Sequence, residues 1–340
     1  MKISRSRLTA TAVAVSVLLA SQLSMMSTAA ADSSEELRIQ TEEALKGKKV
    51  GWVPVALGIP LTDIWTQTLQ DQFGKRGMEL TVRDPNWNTS ANVQAVSALV
   101  AEQPDVLIVH NPNVQLLAKQ LKRAQDAGIF VIQVNMVSSF KTDAYVGANW
   151  HEIGKVVGEE MVAQCGAGSG KSGKVAIVQG ELTSAASIEQ LEGVMSALEQ
   201  DDTIDVVSNQ AADWDATKAF DITSTVLQQH PDLCASFGFW GVMQAGAAQA
   251  VKAAGLQDSV KVYASGADGS FDCTSVENGL FYKFLSYDAA GQGRDIVNVA
   301  SMLLQSGMKP GEQKMAFYSP WHWLEKGKPF DRGVCTEVQK

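Results

Sequence analysis

The sequence predicts an α/β protein made of two similar lobes, each a parallel sheet covered by helices. Three observations lead there. Wholly apolar segments of strand length alternate with amphipathic helical segments. Landmarks of the first half recur in the second at one constant offset. Beyond the N-terminus, no stretch has the uninterrupted apolar length that a membrane span requires.

The N-terminus itself reads as an export signal. Lys2, Arg5 and Arg7 form a positive region, residues 8–23 are apolar or small, and Ala29, Ala30 and Ala31 precede Asp32. That layout predicts a cleaved signal peptide over 1–31 and a periplasmic location of the Gram-negative type. No Cys lies near the cleavage point, so a lipid anchor is not expected. The net charge is −9, and loss of the three cations leaves about −12. Such a balance argues against nucleic acid and anionic membrane surfaces as partners.

In the first half, residues 48–55 read as a buried strand, 61–77 as a helix and 78–84 as a second strand. A helix over 89–103 carries Val93, Val96, Leu99 and Val100 on one face. A third strand at 105–110, a helix at 114–127 closed by Gly128 and a fourth strand at 130–135 follow. The pattern then restarts. Strands are expected at 174–180, 204–210, 233–239 and 260–268, and helices at 186–200, 215–229 and 242–254. Asn86-Trp87-Asn88 recurs as Asp213-Trp214-Asp215, and Gln103-Pro104-Asp105 as His230-Pro231-Asp232, both at an offset of 127. A period that long excludes a solenoid and indicates two copies of one α/β unit.

Open parallel sheets bind small molecules outside the carboxyl ends of their strands. Those positions are aromatic and amide-rich here. Trp65, Trp87, Trp214 and Trp240 fall at or near strand ends, and Trp150 stands where the chain first leaves lobe one. Asp63, Asn111, Asn135 and Asp268 add compact hydrogen-bonding groups. Indole faces suit the C–H face of a sugar or polyol ring, while amides and carboxylates suit its hydroxyls. A single Trp is more often a core filler; four at strand ends favour a pocket. Trp52 reads as core, Trp321 and Trp323 as packing or hinge residues, and Asp215 as a helix cap.

Several chemistries lack support. Residues 166–174, GAGSGKSGK, contain Gly-Lys-Ser but precede a strand, so they read as a connector rather than a phosphate loop. There is no Gly-x-Ser-x-Gly elbow, and the four histidines are scattered. No catalytic residue, metal site or cofactor is expected. Cys165, Cys234, Cys273 and Cys335 are an even set in an exported chain, open to three pairings.

Residues 48–320 resemble the periplasmic type I sugar-binding proteins of ABC transporters, the ribose-binding-protein-like group. The resemblance lies in PDVLIVHNP (104–112), AGIFVIQVN (127–135), AYVGANWHEIGK (144–155) and QGELTSAAS (179–187). It continues through ADWDATKA (212–219), GVMQAGAAQAVKAAG (241–255) and SGADG (265–269). It implies two Rossmann-like lobes joined by a three-crossing hinge near 147–149, 287–289 and 317–321. Lobe one would be 33–147 plus 289–317, and lobe two 148–288 plus 318–340. It implies a monomer that captures a small neutral sugar or polyol in the interlobe cleft and delivers it to an ABC permease, without enzyme activity. It also implies the pairs Cys165–Cys234 and Cys273–Cys335.

The family's ligand positions map with departures. Its aromatic pair falls near Leu61 and Thr62, its Asp after the fourth strand at Asn135, and its Arg at Ile188. Its stacking aromatic is Trp214 and its Gly-x-Asp-Gly aspartate is Asp268, while its Asn and Gln become Trp240 and Tyr287. The expected ligand set is therefore Asp63, Trp65, Asn111, Asn135, Trp150, Trp214, Trp240, Asp268 and Tyr287. Two other roles share this architecture: presenting a ligand to a chemoreceptor or histidine kinase, and binding a non-sugar small molecule. A repressor of the same lobed kind would need a helix-turn-helix where the signal peptide stands.

Overall fold

The computed structural model describes residues 33–329 and 332–336. The expected signal peptide lies outside them. The chain forms two units, one ending at Lys46 and one beginning at Gly47. In the first, residues 33–45 form helix α1, on whose exposed surface Arg38 pairs with Glu35 and Glu42.

The second unit contains two six-stranded sheets. The first is built from β1 (Lys49–Val53), β2 (Glu79–Val82), β3 (Val106–Val109), β4 (Phe130–Val134), β5 (Ala144–Gly147) and β11 (Met315–Tyr318). Its order is β11-β5-β4-β3-β1-β2, and every pairing is parallel. The second is built from β6 (Lys174–Gln179), β7 (Asp205–Ala211), β8 (Ala235–Gly238), β9 (Lys261–Gly266), β10 (Lys283–Ser286) and β12 (His322–Glu325). Its order is β12-β10-β9-β8-β6-β7. It departs from the expected all-parallel sheet at one edge, where β12 runs antiparallel to β10. A chain that re-enters the sheet directly from the hinge, without a covering helix, comes back in the opposite direction.

Burial follows sheet position. The central strands β3, β4 and β8 are buried at every residue, because helices cover both faces. The edge strands β2 and β7 alternate with solvent. The helices between strands are α2 (Pro60–Lys75), α3 (Thr89–Glu102), α4 (Ala118–Asp126), α5 (Trp150–Cys165), α6 (Ala185–Leu198), α7 (Ala216–Gln229), α8 (Gly241–Ala253), α9 (Ser270–Glu277) and α10 (Ala289–Gln305). Their starts are marked in the sequence. Asn88, Asn149, Ser184 and Asp215 each accept a bond from the backbone three residues on, as capping residues do.

Elements that the periodicity did not announce are β5, α5, α9 to α10 and the last three strands. Helices α5 and α6 lie very close together. A methyl on Gly154 would strike the Gln190 carbonyl, and one on Gly193 the His151 carbonyl. Small residues on the facing surfaces allow that approach and weaken the amphipathic signal of both helices.

The chain passes between the sheets at 148–149, 287–288 and 319–321, so the structure has a three-stranded hinge. Two disulfides fasten the second sheet's layer. Cys165 at the end of α5 joins Cys234 before β8, and Cys273 of α9 joins Cys335 in a short 3-10 turn, Arg332–Cys335. The Gly-rich segment 166–173 is a turn connector that takes left-handed backbone at Gly168, Gly170 and Gly173.

Candidate functional site

The carboxyl ends of the two sheets face each other across a cavity. Its volume is about 50 Å³. Such a space is a slot rather than an open bowl.

Lobe-one segments supply one side. Val55 follows β1, Ile59 and Leu61 stand at the start of α2, Trp87 follows β2, His110 follows β3, and Asn135 and Met136 follow β4. The other side carries Ala186 of α6, Trp214 after β7, and Phe239 and Trp240 after β8. Trp150 and Tyr287 come from the first two hinge crossings. The rings converge. Trp87 and Trp214 lie 6.5 Å and 6.4 Å from Trp240, the latter edge-on at 76°. Trp150 meets Tyr287 edge-on at 5.1 Å.

Local backbone explains why both flanking indoles reach the slot. Asn86 and Trp87 have φ of 48° and 62°, and Asp213 and Trp214 have 52° and 64°. Two successive left-handed residues are costly for non-glycine side chains and concentrate at functional sites. Here each pair turns the chain sharply between strand and helix, and the next residue caps the helix. Gly180, at the end of β6, makes room on the other side. A methyl there would fall inside the Trp214 ring.

Polar groups are few and buried. Asp268 is 1 % exposed, and its Oδ2 accepts a 2.7 Å bond from Trp240 Nε1. Its amide donates to Asp272 Oδ2 at 2.7 Å. Burial pushes the Asp268 carboxyl up to about 7, against the pull of the Trp240 indole and of the Leu61 amide across the cleft. Asp272 is driven well above the carboxylate range, by burial first and by the neighbouring Asp268 charge second. Burial lowers His110 to about 3, so its imidazole is neutral. The Tyr287 phenol is raised far above its usual value, by burial and then by the two carboxyls. The two sides also meet directly where Val114 N–H donates to the Thr183 carbonyl at 3.0 Å. The cleft is in its closed form.

Asn135 also fastens the hinge. Its Oδ1 accepts from Ala148 N–H at 3.1 Å and from Gln292 Nε2 at 2.9 Å. Its carbonyl accepts from Trp150 Nε1 at 2.5 Å and Tyr145 Oη at 3.1 Å. The residue borders the cavity, but these oxygens hold the hinge crossings together.

Of the nine side chains nominated from sequence, Asn135, Trp150, Trp214, Trp240 and Tyr287 border the cavity, and Asp268 stands behind Trp240. Asp63, Trp65 and Asn111 are not in its lining. Asp63 accepts from Gly58 N–H at 2.9 Å and ties the turn before α2. Trp65 is wholly buried, donates to Gln292 Oε1 at 3.2 Å and packs edge-on against His110. Asn111 donates to the Asn113 carbonyl at 2.6 Å. Trp87, one of the strand-end tryptophans but outside the expected ligand set, also borders the cavity, as do His110, Met136 and Phe239, which were not nominated. Each sits at a strand end, and Trp87 is the repeat partner of Trp214, which was the available signal.

The comparisons agree with this architecture. The periplasmic binding protein domain family matches residues 50–309. The ribose import binding protein of Bacillus subtilis (strain 168) is 25% identical over 261 residues, 76% of this chain and 82% of the relative. An ABC transporter solute-binding protein from Burkholderia graminis C4D1M, solved with D-arabinose, superposes with a TM-score of 0.74 at 21% identity, covering 83% of this chain and 96% of that one. The Caulobacter myo-inositol binding protein, solved with myo-inositol, gives 0.73 at 23% identity, covering 82% and 93%. Two parallel-sheet lobes, a three-stranded hinge, a slot at the facing strand ends and a family match over most of the chain lead to one conclusion: the chain belongs to the periplasmic binding protein domain family.

Proposed function

We propose that the protein is an exported solute-binding component of an ABC transporter, which captures a small sugar or polyol between its lobes and hands it to a permease. The observation that carries this reading is the closed slot flanked by Trp87 from one sheet and Trp214 from the other. A ligand that touches both indoles binds the closed form better than the open one, and that differential contact is what drives closure. The lobes would be 33–147 with 289–317 and 148–288 with 318–340. The similar proteins are named for binding ribose, D-arabinose and myo-inositol, and the chain's N-terminal residues have the composition of an export signal. The role requires no bond making, and the protein would act as a monomer.

The test is a thermal-shift screen of the mature protein against sugars and polyols, followed by calorimetry. A ligand that binds only the native state raises the melting temperature. At least one compound should do so, should be recovered unchanged, and should lose its effect in Trp214→Ala. A screen with no shift, or wild-type affinity in Trp214→Ala, would remove the assignment.

A further inference from the structure

Two buried carboxyls stand beside the slot without a counter-charge among the described residues. Asp268 and Asp272 are 1 % and 0 % exposed and share a hydrogen bond through the Asp268 amide. Each keeps one carboxyl oxygen, Oδ1, without a hydrogen-bond partner. No lysine, arginine or charged histidine among the described residues pairs with either. Buried carboxylates are normally matched by a cation or a metal, and no metal-binding cluster occurs among the described residues.

The cavity side repeats the asymmetry. Its bordering side chains include no permanent charge, and the family's arginine position is Ile188. Asp268 stands between two groups that border the slot, bonded to the Trp240 indole and faced by the Leu61 amide. Trp87 and Trp214 each stand 6.4–6.5 Å from Trp240 between ring centres, and all three border the slot. Indole faces are the negative poles of aromatic quadrupoles and hold an ammonium within about 6 Å. Aromatic faces with an unpaired acid behind them favour a cation over a neutral group, and the open valence of the Asp268 carboxyl beside the slot is an acceptor. An ammonium group brings three donors and no acceptor.

We infer that the ligand of this slot is a hydroxylated ring bearing a protonated amine, an amino sugar or amino polyol, with Asp268 as its counter-charge. This deepens the capture reading and rests on it. Burial raises both carboxyls, and a cation at the slot would return Asp268 to its ionised form.

The experiment is calorimetry at pH 6.5 with matched pairs: glucose and glucosamine, galactose and galactosamine, mannose and mannosamine, each amine also N-acetylated, and tetramethylammonium as a shape-independent probe. The expected result is that the protonated member of at least one pair binds tenfold or more tighter than its neutral parent. N-acetylation should erase the advantage, and Asp268→Asn should bring the pair within about threefold. Parents that bind as tightly as their amines overturn the charge inference and leave capture standing. Folded protein that binds none of the amines, tetramethylammonium included, overturns the charge inference, and capture falls only if the wider sugar and polyol screen also gives no shift. The wild-type comparison needs no variant, so a misfolded Asp268→Asn cannot rescue the claim.

Discussion

Trp87 and Trp214, on different sheets, hold nearly the same left-handed backbone, φ 62° and 64°, and each sets its ring about 6.5 Å from Trp240. They are the same position in two copies of one unit, brought face to face by the hinge. Trp87 is 48 % exposed, so its removal leaves the core intact. Trp87→Ala and Trp214→Ala should each weaken ligand binding by about 1–3 kcal/mol, the worth of burying such a side chain. A double-mutant cycle should show coupling, because both rings touch one ligand and one shared neighbour. Strict additivity in calorimetry would mean that the two indoles do not bracket the same molecule.

Gly180→Ala tests how the Trp214 ring is seated. The added methyl collides with the indole and not with core side chains. Ligand affinity should drop at least tenfold, with a small change in melting temperature. An unchanged affinity would show that the ring has freedom the closed structure does not reveal.

The pH dependence of stability has two opposed parts. Asp268 titrates near 7 when folded and ordinarily near 3.8. Its contribution is therefore fully present below about pH 4 and is lost as pH rises through about 7. Asp272 and Tyr287 face it, and Asp272 acts in the same direction. His110 titrates near 3 when folded and ordinarily at 6.5, so its contribution is present above 6.5 and lost on acidification toward 3. The Asp268 part should make the melting temperature fall as pH rises from about 4 to about 7, and Asp268→Asn should remove that fall. His110→Gln should flatten the acid limb instead. Scanning calorimetry from pH 4 to 8 on the three proteins decides it; unchanged limbs in both variants would refute the assignment.

The disulfides Cys165–Cys234 and Cys273–Cys335 close loops of 69 and 62 residues in sequence. Loops of that length predict about 4 kcal/mol each from restriction of the unfolded chain, an upper figure. Reduction should lower the melting temperature strongly. Cys165→Ser with Cys234→Ser should leave ligand affinity within about threefold, since that bridge precedes β8, at the end of the strand opposite Phe239 and Trp240.

The sequence by itself determined the fold class, because strand and helix periods, caps and apolar runs are local properties. It also determined the repeat, since Trp87 and Trp214 carry the same neighbours at one offset. It located the site to strand ends but could not choose among the side chains there. Asn111 is as close to a strand end as Trp240, yet its amide nitrogen is given to the Asn113 carbonyl, while Asp63 and Trp65 sit within α2 and bond to Gly58 and Gln292. Elements with weak periodicity, such as α5 against α6, form because glycines permit contact with a partner that the local sequence does not name. The tertiary structure alone decided that Asn135 holds the hinge, that Trp65 stays in the core while Trp87 borders the slot, and that Asp268 and Asp272 share a buried site with no cation paired to them among the described residues. A side chain's direction, its desolvation and the charges it faces depend on elements far away in the chain, and those are set only when both lobes are assembled.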